Sequence, residues 1–463
     1  MTSTLRRLVV SALGLGVGGA LAAAGWFGVP AVAVGTGHKA RVLCSGVFVS
    51  GRAPEAVLAD LQVDDLSTLR FVGASVDHGA KTVSARWLGL ERRAVYREGL
   101  GCALELDNLI PPSLPRTDAA PARPAVSSGK ATSTEMPVGG LNARLNAAVA
   151  RAFEEPEPRR ARRTRAVVVV QHGTILAERY AADIGVDTAL PGWSMSKSVM
   201  NALAGALVHE GRLTLDAPAP IPTWQQPGDA RARITLDHLL RMSSGLRFEG
   251  HQDTPRSDVM RMLFGVGDLA AFVTGRTAVH PAGSHWEYSN ASTNIISAAI
   301  RAVLRDPAAY LTFPRRVLFD PLGMTSAVLE TDAAGTFIAS SYMYATARDW
   351  ARFGRLYLQD GVWNGKRILP QGWIDYTRTP APADETRRYG AHFWLEIPGE
   401  YAGTDPRLPV PALHAVGHEA QFVTLIPSQD LVVVRLGRTR YPQAWDHAAF
   451  VRDVLEAVKQ PAH

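Results

Sequence analysis

Cysteine is nearly absent from this 463-residue chain, which holds only Cys44 and Cys102. Two thiols cannot staple a small disulfide-rich scaffold, and they cannot supply a four-cysteine zinc site. In an exported protein a lone pair is most simply one disulfide; two buried free thiols are the alternative. No His-Glu-x-x-His occurs among the 13 histidines. His209-Glu210 runs into Gly211-Arg212, and His418-Glu419 lacks a second histidine, which argues against a zinc hydrolase. No Gly-x-Ser-x-Gly occurs either. Gly192 precedes Ser194 at the right spacing, but Ser196 stands where the second glycine of an α/β-hydrolase elbow belongs. The formal charge of +6 is modest for this length, and no Lys/Arg stripe is interleaved with aromatics, so no nucleic-acid partner is expected. No internal repeat was found.

What is present suits a large packed core: 46% hydrophobic and 20% charged residues. From Leu8 to Val34 no residue is charged, and Arg6 and Arg7 precede this run. Its length favours an uncleaved single-pass anchor within residues 1–36, so that the protein contacts the membrane through an N-terminal helix. Ala31-Val32-Ala33 resembles a signal-peptidase site and leaves a cleaved export signal as the alternative. Either reading places the rest outside the cytoplasm. Gly14 to Gly19 fits G-x-G-x-x-G, but follows no strand and opens no βαβ unit, so it is not a nucleotide loop. Arg159, Arg160, Arg162, Arg163 and Arg165 follow Glu154, Glu155 and Glu157; this reads as a solvated surface segment.

Residues 37–110 alternate short apolar runs with turn signals and read as a small mixed segment. Residues 111–140, rich in Pro, Ser and Ala, read as an extended connector. The main body is residues 141–463. It opens with two apolar runs around His172-Gly173, a hairpin signal. A helix follows Ser194, with Ser196 and Ser198 in its cap region and Gly211 at its end. Further helices are expected over 234–246 (capped by Thr235, stopped by Gly245), 257–278, 286–304, after Thr346, and over 445–458. Strands return at 421–427 and 431–436. Strands early and late, with helices between, predict an α+β fold: one antiparallel sheet flanked by helices, with a mostly helical subdomain inserted.

Three pieces carry chemistry. Ser194 and Lys197 lie three residues apart at the mouth of a helix, on one face, so that a partly desolvated lysine can take the serine proton. A second S-x-x-K, Ser127 to Lys130, lies in the connector with no helix to hold it and is read as chance. Tyr288-Ser289-Asn290 is the only Y-x-N; a tyrosine beside a lysine is drawn toward the phenolate and relays protons, and the asparagine amide faces the same side. Gly417-His418-Glu419-Ala420-Gln421 leads into a strand, where glycine lets a substrate approach the backbone.

In this order the three pieces resemble the serine β-lactamase/penicillin-binding-protein family. Within it they resemble the class C-like hydrolases that include 6-aminohexanoate-oligomer hydrolases and related esterases. The likeness runs from about Ala166 to Leu436, through WSMSKSV, ITLDHLLRMSSGL, PAGSHWEYSN and AQFVTLIPSQDLVVVRLG. It implies a β-lactamase/transpeptidase-like fold and an acyl-enzyme on Ser194, with Lys197 and Tyr288 as general base and acid. Asn290 would hold Lys197 or the substrate amide. The N–H groups of Ser194 and His418 would form the oxyanion hole, with Gly417 and Gln421 lining the same edge. Neither a metal nor an organic cofactor is implied. No K-T-G or H-T-G occurs at the third motif, which favours a small-molecule amide or ester over a β-lactam as substrate. Glu419 and Ala420 would narrow or charge the pocket there. The competing reading is a non-catalytic penicillin-binding-like module for peptidoglycan fragments or a protein partner. The oligomeric state is left open.

Overall fold

The computed structural model describes residues 28–62, 67–114, 136–140, 142–252 and 254–459. In chain order its main elements are helices α1 (Val29–Cys44) and α2 (Pro54–Gln62) and strands β1 (Gly73–Asp77), β2 (Thr82–Trp87), β3 (Leu90–Arg97) and β4 (Gly101–Leu104). The body follows with α3 (Ala143–Arg151), β5 (Thr164–Gln171), β6 (Thr174–Tyr180), α4 (Ser196–His209), α5 (Leu236–Leu240), α6 (Asp258–Phe264), α7 (Leu269–Thr274), α8 (Asn290–Leu304) and α9 (Ala347–Leu358). It closes with β7 (Leu413–Gly417), β8 (Gln421–Ile426), β9 (Leu431–Gly437) and α10 (His447–Val458).

The body sheet has the order β7-β8-β9-β5-β6 and is antiparallel throughout, so both ends of the body meet at the β9–β5 pairing. β5 reads Val-Val-Val-Val because both its faces are covered. Val168 and Val170 enter the larger core with α4 and α9, while Val167 and Val169 pack on the side of α3 and α10. This is the two-residue alternation of a strand, and full burial of each valine is worth about 1.5–3 kcal/mol. The helices lie between the strand pairs, as expected. Two differ in extent. The helix capped by Thr235 ends at Leu240, and the predicted helix over 257–278 is two, α6 and α7, with Asp268 capping the second. Glycines 265 and 267 interrupt that stretch, and a side-chain cap at each start satisfies the orphan N–H groups.

Residues 29–110 form a module in which β1 to β4 pair in chain order as an antiparallel sheet and α1 lies against it. Cys44 on α1 and Cys102 on β4 are joined as a disulfide, both 0% exposed. The boundary at residue 36 falls inside α1 and is corrected: Val32, Val34 and Thr36 are buried parts of a folded helix. Most of the anchor, residues 1–27, lies outside the described residues. Among the described residues no helix is long and apolar enough to cross a membrane. The connector is described only at its ends, where Met136 is buried and Val138 bridges to Ile175 of β6. The basic run is not simply solvated. Arg165, 15% exposed, pairs with Asp60 of α2 and with Asp183 of the body, joining module to body.

Candidate active site

The turn Trp193–Met195 leads directly into α4, which is buried along almost all of its length. A helix that is apolar on every side belongs in a core, and α4 carries Lys197 there, 1% exposed. Ser196 and Ser198 do not cap it. Their hydroxyls donate to the carbonyls of Trp193 and His392. Gly211, at φ +69°, ends it as expected.

Lys197 Nζ sits 2.9 Å from Ser194 Oγ, 2.6 Å from Asn290 Oδ1 and 3.0 Å from the carbonyl oxygen of Ser340. It also lies 4.8 Å from the centre of the Tyr288 ring. Asn290 opens α8 on a cap supplied by Ser289, so one helix start sets both Tyr288 and Asn290 against the mouth of α4. Among the described residues no carboxylate pairs with Lys197. Burial alone lowers its pKa from 10.5 to about 7. The Tyr288 phenol goes the other way. Burial raises its pKa, with the negative charges near Glu400 and Tyr401 adding to this and a hydrogen bond with Ser194 opposing it. Burial thus favours the neutral phenol, the opposite direction to the phenolate-like tyrosine expected from the neighbouring lysine.

The third motif reaches the same place by backbone. A Cβ on Gly417 would collide with the carbonyl oxygen of Gly192, so glycine there lets the end of β7 close onto the residue two before Ser194. His418 is exposed, with its ring edge-on to Trp193 at 5.6 Å. Gln421 is 1% exposed and faces the protein, not the cleft. Its amide donates to the carbonyls of His418 and Gly437 and accepts from the Gly437 N–H, pinning the loop. Glu419 does not charge the pocket either. It is 5% exposed, bound to Arg438 at 3.2 Å and to the Trp193 indole at 3.4 Å.

Three neighbours, Ser340, Trp394 and His392, left no motif in the sequence, and Trp193 lies inside WSMSKSV with nothing there to mark its own part. Ser340 contributes a carbonyl, which any residue type has. Trp193 sits at φ +49°, a conformation costly for a bulky residue, immediately before Ser194. Trp394 stacks on Tyr288 at 5.6 Å, and its backbone bonds the edge strand at His414. His392 is buried and neutral, its pKa lowered to about 3 by burial; it hydrogen-bonds Leu240 and Thr293.

A family model described as beta-lactamase matches residues 147–456. The chain belongs to the beta-lactamase family. In this beta-lactamase-family chain the antiparallel sheet with helices on both faces is the β-lactamase/transpeptidase-like fold. It is 27% identical over 225 residues to a 6-aminohexanoate-dimer hydrolase of Paenarthrobacter ureafaciens, covering 46% of this chain and 56% of that protein. An uncharacterized protein of Mycobacterium tuberculosis is 29% identical over 264 residues, covering 45% and 64%. The chain thus spans less than two thirds of the length of these curated relatives. The octameric penicillin-binding protein homologue from Pyrococcus abyssi superposes with a TM-score of 0.52 at 17% identity, over 68% of this chain and 77% of that one.

Proposed function

We propose that this protein is a serine hydrolase that cleaves amide or ester bonds of small molecules through an acyl-enzyme on Ser194. The observation that carries the reading is a buried lysine, its pKa lowered to about 7, with its amine 2.9 Å from a half-buried serine hydroxyl. A neutral amine accepts the Ser194 proton as Oγ bonds to the acyl carbon. The proton then passes through the Tyr288 hydroxyl to the leaving nitrogen or oxygen, and the scissile bond breaks. Water repeats the sequence in reverse. It gives a proton to Lys197, attacks the acyl carbon and releases Ser194 as the hydroxyl. Asn290 holds the amine between these steps. The N–H groups of Ser194, at a helix start without an intrahelical acceptor, and of His418 would bind the oxyanion, a contribution of roughly 3 kcal/mol each.

The 6-aminohexanoate-dimer hydrolase likeness supports an amide as one substrate class to test. The Cys44–Cys102 bridge supports an oxidising compartment outside the cytoplasm. The test is Ser194→Ala assayed on p-nitrophenyl esters and short amides, with mass detection of a fluorophosphonate adduct on the Ser194 peptide. Loss of turnover and of the adduct is expected. Undiminished turnover would refute the nucleophile, and a folded parent protein that neither turns over nor labels would favour a binding module.

A further inference from the structure

We propose that Glu330 is a positioning residue for Lys197, and that the N-terminal module, by gripping Glu330, is a working part of the active site. This rests on the reading of Lys197 as the base.

Glu330 belongs to the body, yet its fully buried side chain enters the module. There the Cys102 N–H and the Ser45 hydroxyl each donate to it at 2.7 Å, and Arg41 of α1 pairs with it at 3.3 Å. Gly101, at φ +63°, gives it room: a Cβ at that position would stand 2.5 Å from the carboxylate. Arg41 also donates to the Thr331 carbonyl and lies 4.0 Å over the Tyr342 ring. Arg41, Ser45, Gly101 and Cys102 all precede the region that matches the beta-lactamase family, whereas Glu330 lies inside it.

The backbone carries this grip inward. The Glu330 N–H donates to the Tyr342 carbonyl, and its own carbonyl accepts from Ile338, both at 2.9 Å. These bonds close the segment that holds Ser340, whose carbonyl accepts from Lys197 at 3.0 Å. Asn294 of α8 fixes Ser340 from the other side, through its N–H at 3.1 Å and its hydroxyl at 3.0 Å. Module, Glu330, Ser340 and Lys197 are therefore one hydrogen-bonded chain. Charged or titratable groups facing Glu330 are Arg41, Arg97, Tyr342 and Tyr344. Those facing Lys197 are Ser194, Tyr288 and the neutral His392.

The experiment is Glu330→Gln in the full chain, with ester hydrolysis followed across pH. Loosening the segment over Lys197 admits water and favours its charged form. The expected result is kcat down about tenfold, KM within about twofold of the parent, and the acidic limb of the kcat profile moved to higher pH. Ser45→Ala keeps the ion pair and should shift both in the same direction by less; it decides the matter if Glu330→Gln does not fold. A lower melting temperature with the parent's kcat and acidic limb would overturn the proposal, as would a limb moved to lower pH. Lys197→Ala separates the two claims. If it stays active, the base reading fails; if it is inactive while Glu330→Gln behaves as the parent, the positioning role alone fails.

Discussion

Lys197 Nζ and Ser194 Oγ are 2.9 Å apart across one turn at the start of α4, and the amine is buried where the hydroxyl is only half-buried. Under the proposed mechanism this arrangement, an amine kept from water beside a more accessible hydroxyl, would set the direction of proton transfer from Ser194 to Lys197. Because burial holds the amine near pKa 7, activity on a neutral ester should rise through about pH 7 as the amine loses its proton, then level off. The kcat/KM profile of the parent checks this. Lys197→Arg, which cannot deprotonate, should lose roughly 10²–10⁴-fold at every pH. A profile without a limb near neutrality would disconnect Lys197 from the rate.

The same burial costs stability. The folded-state pKa is about 7 and the unfolded value is 10.5, so between these pH values the unfolded chain binds more protons. Stability therefore rises with pH across that window, and the penalty is fully present below it. Lys197→Met, of similar length and without charge, should raise the melting temperature at pH 6 to 7 while abolishing turnover. The gain should shrink as the pH approaches 10. Melting curves of parent and variant at three pH values decide this, and a variant less stable at pH 6 would contradict it.

How much of this was legible in the sequence differs by the kind of atom involved. The meeting of side chains was visible. Ser194, Lys197, Tyr288 and Asn290 converge because a helix start places i and i+3 together and because Ser289 caps α8. The body sheet was visible too, since the valines of β5 and the 421–436 hairpin carry strong strand patterns. Contacts made by backbone left no trace. The carbonyl of Ser340 binds Lys197, but nothing in Ser340-Ser341 announces it. Gln421 shows the opposite error. Its position beside a glycine suggested a substrate contact, but a buried amide with backbone partners on both atoms is spent on holding a loop. The apolar run also misled at its end, because Val32 and Val34 are buried residues of α1, with Val34 packed among the residues of the larger body core.

The module's own stability should depend on Cys44–Cys102. The two residues are 58 apart in sequence, and closing a loop of that length is worth about 4 kcal/mol in the chain-entropy account. Both sulfurs are fully buried. The Cys44→Ser/Cys102→Ser double variant should therefore lower the melting temperature and open residues 29–110 to proteolysis. The parent in reductant should hold its bridge until it unfolds. Equal protease resistance of parent and double variant would show that packing alone holds the module.

Glu419 gives the last prediction. Its carboxylate ties Arg438, which also approaches Asp60 of α2 at 3.9 Å, to the indole of Trp193. Trp193 occupies a left-handed backbone conformation one residue before Ser194, the proposed nucleophile, and such a conformation persists only where its surroundings impose it. Glu419→Ala removes the indole's acceptor and leaves Arg438, 14% exposed, without that partner; the stability cost should be about 1–3 kcal/mol. Glu419→Gln keeps an oxygen for the indole and loses the ion pair. If the indole contact sets the Ser194 geometry, Glu419→Gln should retain most of kcat while Glu419→Ala loses roughly tenfold, with KM little changed in both. Equal kcat losses in the two variants would place the effect in the Arg438 ion pair instead, and an unchanged kcat in Glu419→Ala would show that the turn at Trp193 holds its shape without either.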